Sequence, residues 1–229
     1  DAVTFTDDSY FNVTGWTWSF PGASTTSSSL QNPTVTYPTA GTYAVSLQVT
    51  DGSSSVTETK SGYITVLPGV GRTAPFSEGF ESISSFPTAD WMIENPDGGF
   101  GWDVTTAAAS SGSKSIRVVN NGSNSGNKDE FVSNTIDLST VSTVQLSFKY
   151  AFAKRNSSNT DKLEVYASNN CGSTWALRKN ISTAVLETAP IQGGSFTPNS
   201  TQWEEVVVTN ITSPYWTPNF RFKIVLSIV

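Results

Sequence analysis

Histidine is absent from this chain of 229 residues. Its absence removes HExxH zinc sites, Ser-His-Asp and Cys-His nucleophile systems and all imidazole acid–base chemistry in one step. Cysteine occurs once, as Cys171, so no intrachain disulfide exists to report on compartment. A lone cysteine of this kind reads as a small residue in or near a strand turn. Charge is scarce too. Only 14% of residues are charged, the net charge is −6, and there is no basic run to hold a phosphate backbone, which argues against nucleic-acid partners. No apolar run approaches the roughly 18 residues of a spanning helix, so no membrane insertion is expected. The chain opens on DAVTFTDDS, within a strand pattern and without a signal segment. It therefore reads as an internal piece of a longer precursor whose targeting signals lie elsewhere.

Serine and threonine are plentiful, 64 residues between them. Such Thr-rich, mildly acidic chemistry suits strands with solvated faces and a secreted or cell-surface setting. From residue 1 to 67, apolar residues alternate in short runs separated by turn residues. Trp16, Trp18 and Phe20 fall on one face of GWTWSF, and Tyr43, Val45, Leu47 and Val49 on one face of the strand after Gly41. PGASTTSSSLQNP is a loop by composition, Ser53–Ser55 a turn, and Tyr63 to Leu67 a last strand. The pattern predicts a small antiparallel β-sandwich.

Three segments of this unit carry a resemblance: Trp18-Ser19-Phe20-Pro21-Gly22, then Asn32-Pro33-Thr34-Val35-Thr36-Tyr37, then Gly41-Thr42-Tyr43-Ala44-Val45-Ser46-Leu47-Gln48-Val49. Together they resemble a polycystic-kidney-disease (PKD) domain, with Pro21-Gly22 in place of that family's Gly-Asp-Gly turn. The resemblance implies an immunoglobulin-like sandwich that serves as a spacer or binding aid on a secreted protein.

Residues 68–75 read as a linker, with Pro and Gly at both ends. From 76 to 229 a second and larger all-β unit is expected, opening on Phe76 to Trp102 as first strand and first long loop. Further strands are predicted at 115–120, 131–139, 144–152, 162–167, 203–208 and 220–229, with 180–200 unassigned. Roughly eight strands, long loops and no helix predict a two-sheet jelly roll. Phe80-Glu81, Trp91, Trp102, Phe131 to Leu138 and Leu163 to Ser168 make the unit similar to the MAM-like and cleaved-adhesin jelly rolls of secreted proteins of Bacteroidetes-type bacteria. Asn134 stands where that family has Pro, and its closing strand would be missing here. The pairing with a PKD-like unit resembles the non-catalytic region of secreted cytophagalysin-like metalloproteases and of surface adhesins. Ser168 to Trp175 also resembles an Asp-box turn, with Asn170 in place of Asp, which implies that Trp175 is packed by the fold.

Three kinds of site follow from these residues. Calcium takes about six to eight oxygens, which loops between strands supply. The jelly-roll resemblance implies such an ion at Glu81 and Asp129, with Asp97 in the loop NPDGG beside them. Carboxylate-pair catalysis would need two acids facing each other at roughly 5 to 10 Å. Asp129/Glu130 and Glu204/Glu205 are strand neighbours and point to opposite faces. Tyr215 and Trp216 lie in a turn, where a flat ring can stack on a sugar or anchor a protein contact. The reading is a non-catalytic, all-β accessory region of a secreted or cell-surface protein, with a metalloprotease as the parent that the resemblance implies. It would act as spacer plus adhesive or substrate-positioning module, with extracellular protein or polysaccharide as partner. A carbohydrate-binding module and a structural stalk are the alternatives.

Overall fold

Alternation decides the first unit. In the computed structural model, residues 2–10, 12–67, 71–96, 98–119, 126 and 128–228 are described, and contacts divide the chain into two units, Asp1–Gly69 and Val70–Val229. The first unit contains β1 (Ala2–Thr4), β2 (Gly15–Ser19), β3 (Ser27–Ser28), β4 (Thr34–Thr36), β5 (Gly41–Thr50) and β6 (Ser55–Val66). β3-β2-β5-β6 form an antiparallel sheet, and β1 pairs antiparallel with β4. Between the two layers Phe5, Trp18, Phe20, Val35, Tyr37 and Val45 are buried, with Trp16, Tyr43 and Leu47 packed partly against them. The period-2 pattern thus delivers its apolar face to one core. Trp16 sits at the margin, its indole N–H donating to Asp7 Oδ2 at 2.6 Å.

One detail departs from the sequence reading. The last strand begins at Ser55 and not at Tyr63, because β6 is an edge strand whose side chains are mostly exposed and carry no apolar signal. Its register slips opposite Tyr43 and Val45, where Gly62 takes a φ of 63°. Gly22 has a φ of 83°, and a Cβ there would lie 2.1 Å from Tyr43 Cε1.

The second unit contains β7 (Arg72–Thr73), β8 (Trp91–Glu94), β9 (Asp103–Thr105), β10 (Ser115–Arg117), β11 (Lys128–Ser133), β12 (Ile136–Asp137), β13 (Leu146–Tyr150), β14 (Lys162–Ser168), β15 (Ala176–Ile181), β16 (Glu204–Val208) and β17 (Arg221–Ser227). An antiparallel sheet of order β15-β14-β17-β11-β8 forms one layer. The β13–β16 ladder sends Leu146, Phe148, Val206 and Val208 into the same core as Phe131, Leu163, Val165, Phe222, Ile224 and Leu226 of the five-stranded sheet. Trp91 stacks on Phe131 with ring centroids 4.7 Å apart, and Phe222 meets Trp91 edge-on. The all-β class holds.

The opening stretch differs from its expectation. Phe76 to Asp90 contains no strand among the described residues; Phe80 has a φ of 63° and closes a turn through the Ile83 N–H, and the strand starts at Trp91. The expected linker is folded in part, since Arg72–Thr73 pair in parallel with Ile136–Asp137. Within the unassigned region lies one helical turn, Thr183–Leu186, which buries Leu186.

Candidate functional site

Two loop segments and the strands β15 and β17 meet at the end of the five-stranded sheet where β14 ends and β17 begins. The first is the Asp-box-like turn after Ser168. Ser168 Oγ donates to Asn170 Oδ1 at 2.8 Å and accepts from the Gly172 N–H at 2.9 Å. Asn170 Oδ1 also accepts from the Thr174 N–H, while its Nδ2 donates to Thr174 Oγ1. Asn therefore supplies the acceptor that Asp would, and adds a donor. Gly172 has a φ of 90°, and a Cβ there would stand 3.1 Å from Trp175 Cζ2. The second segment, Ile211 to Asn219, is bound to this turn. The Cys171 N–H donates to the Asn219 carbonyl at 3.0 Å, and Asn169 Nδ2 to the Pro214 carbonyl at 3.0 Å.

The strands β15 and β17 each supply an arginine that sequence reasoning did not select. Arg178 is the extra residue of a bulge: Leu177 pairs with Tyr166 and Lys179 with Val165, leaving Arg178 without a cross-strand partner. Bulges of this kind re-aim a side chain. Its guanidinium lies 4.1 Å from the centroid of Tyr215 and reaches the Asn210 carbonyl. Arg221, the first residue of β17, pairs across from Ser168. Its Nε donates to Thr135 Oγ1 at 3.2 Å, and no carboxylate among the described residues pairs with it. Burial holds its pKa below the ordinary guanidinium range, with Cys171 opposing.

On the same face of β17, Lys223 is enclosed. It pairs with Glu130 at 2.6 Å and lies 4.9 Å from the Trp175 ring centroid and 5.7 Å from that of Tyr166. Glu94 stands directly across the ladder from Glu130. Desolvation first, and the Glu130 charge second, push the Glu94 carboxyl up, with Lys223 opposing. Further along, Lys162 pairs with the buried Glu164. Glu94 and Glu130 are the facing carboxylates that adjacency in sequence could not supply; Lys223 neutralises one of them.

The aromatic candidates Tyr215 and Trp216 also lie at this end. Tyr215 and Trp216 are half-buried and pack against the core, so the fold does use them. The Trp216 indole N–H donates to the Ile211 carbonyl at 2.9 Å, and Arg178 covers the Tyr215 ring. Tyr215 and Arg178 form one polar–aromatic edge of the site; Trp216 anchors the loop beneath it.

Of the three acids of the calcium expectation, Glu81 and Asp129 are described and stand in different settings. Glu81 is exposed and lies outside any strand. Its carboxylate accepts from Ser113 Oγ at 2.6 Å, the Ser113 N–H at 2.9 Å and the Lys114 N–H at 3.0 Å, and these bonds hold its pKa below the usual carboxylate range. Asp129 is buried in β11 on the core side, and its carbonyl accepts from the Trp102 indole at 3.1 Å. Asp97 lies outside the described residues. No cluster of three acidic or thiol side chains is present among the described residues.

No curated protein matches the chain. One solved structure, from work on the structural basis for the promiscuous specificity of carbohydrate-binding modules of the β-sandwich superfamily, is 16% identical, covering 100% of this chain and 86% of that one at a TM-score of 0.41. A likeness at that level carries no argument about ligand. The family comparison is confined to the first unit, where residues 2–66 are similar to the PKD domain.

Proposed function

We propose that the chain is a non-catalytic, extracellular binding region, in which the PKD-like unit is a spacer and the second unit makes the adhesive or substrate-positioning contact. What carries the reading is the PKD match over residues 2–66 beside a second unit whose sheet end holds two guanidiniums without acid partners. Such groups suit recognition of a partner. The lack of histidine and the ion pairing of Glu130 with Lys223 support a binding role over a hydrolytic one. In finer detail, the two units serve a larger secreted chain; its metalloprotease setting rests on the resemblance alone. A structural calcium in the second unit belongs to the same proposal and is supported by the family resemblance at Asp129. Excess chelator should then lower that unit's melting midpoint, and calcium should restore it.

The test is retention of the chain on insoluble polysaccharides and on extracellular-matrix protein, with release of soluble product followed in parallel. Saturable retention without product is expected. Product release would overturn the non-catalytic assignment, and failure to bind either material would leave the stalk reading.

A further inference from the structure

Most half-buried basic side chains of the second unit have a strong acceptor. Arg72, Lys154, Lys162 and Lys223 each face a carboxylate. Lys114 and Arg178 are held by main-chain carbonyls. Arg221 has neither: its described bond is the one from Nε to Thr135 Oγ1, a neutral hydroxyl. That bond uses Nε and leaves the two terminal nitrogens of the fork without a carboxylate partner among the described residues. One of them, Nη1, comes within 3.9 Å of where a Gly172 Cβ would be, so the missing side chain keeps the approach open.

A partly desolvated charge without a counter-ion is a cost to the fold that a ligand can relieve. The fork matches an oxyanion bidentately. Beside it, the Thr135 hydroxyl holds Nε, and the Trp175 ring and Arg221 Nη1 both lie within 4 Å of the position a Gly172 Cβ would take. An aromatic ring beside a guanidinium suits the ring and the carboxylate of an acidic sugar. The rest of the chain is acidic, with a net charge of −6, so a polyanion is attracted locally and not by the whole surface.

We infer that Arg221 is the receptor for the carboxylate of an acidic polysaccharide, a uronate-bearing chain, at the end of the five-stranded sheet. The inference rests on the binding-region reading above and specifies its ligand. Binding of the full chain to oligogalacturonate and alginate would be measured by calorimetry, with dextran as neutral control, dextran sulfate as sulfate control and polyglutamate as protein-like carboxylate. Uronate binding is expected to weaken about tenfold or more in Arg221→Met, the size of a charge-assisted pair. Arg221→Lys should retain only part of the affinity, because lysine keeps the charge without the fork. Melting curves of both variants accompany the titrations; if Arg221→Met does not fold, Arg221→Lys and competition by free galacturonate decide the matter. Equal binding by wild type and variants, or no uronate binding, overturns the inference. Tighter binding of polyglutamate overturns it in favour of a protein partner, and tighter binding of dextran sulfate in favour of sulfate. Retention on dextran alone, indifferent to Arg221, would sink the anion site while leaving the binding-region reading intact.

Discussion

The outer faces of the two main sheets are built from opposite materials. In the first unit, Thr17, Gln48 and Thr57 lie in one cross-strand row, and Ser19, Ser46 and Thr59 in the next. These are neutral hydroxyls and an amide over a core that faces the other way. In the second unit, the corresponding face of β8, β11, β17 and β14 carries Glu94, Glu130, Lys223 and Glu164, several of them largely withdrawn from solvent. A neutral hydroxyl lattice is satisfied by water and demands no partner. Half-buried charges must be matched one by one, and where a match is lacking, as at Arg221, the surface has a chemical preference. On the proposed reading, selectivity would reside in the second unit and the first would hold a place in solvent.

Separate damage to the two units would sharpen this contrast most. Phe131→Ala removes the ring on which Trp91 stacks and to which Phe80 and Phe86 also pack, and should cost the second unit about 3–5 kcal/mol. In calorimetry a first-unit transition should persist unchanged; loss of both transitions together would show that the units do not unfold independently. Gly22→Ala is the matching injury to the first unit. A positive φ and a clash with the Tyr43 ring should cost about 2–4 kcal/mol and leave the second transition in place. The smallest effect concerns charge. Because the Glu94 carboxyl is raised in the folded state, its penalty is missing below the ordinary carboxylate pKa and sets in as pH rises through the raised value. Glu94→Gln should accordingly raise the second midpoint slightly near neutral pH and leave it unchanged in acid. A variant less stable than wild type at neutral pH would refute the assigned crowding.

The sequence shows what repeats and hides what is singular. Trp18, Phe20 and Val45, and likewise Leu146, Phe148 and Tyr150, were legible because alternation reports burial directly. The first half of β6 was not, since an edge strand alternates among polar residues and looks like a loop. Phe80-Glu81 was expected within an opening strand, yet Phe80 turns with a positive φ and Glu81 caps a neighbouring loop. Asn170 was legible as part of a spaced motif. Arg178 and Arg221 were not, because a charge becomes informative only when its missing partner is known. Partners here come from strands distant in sequence. The bulge that re-aims Arg178 leaves no local trace either, and the strand that carries it, Ala176–Ile181, was itself not read from the sequence.

Chain order adds a temporal side to this architecture. β17 follows every other strand of its sheet in sequence, yet it lies at the centre, between β14 over seven residue pairs and β11 over five. A ribosome that has delivered everything through Asn219 has delivered a sheet with its middle missing. Until residues 221–227 emerge, β11 and β14 present open edges to each other and to neighbouring chains. Pairings of such sequence separation form slowly and expose apolar surface while they wait. Folding of the second unit is thus timed by the arrival of that one strand. The first unit, whose pairings close within its own residues, can be complete well before.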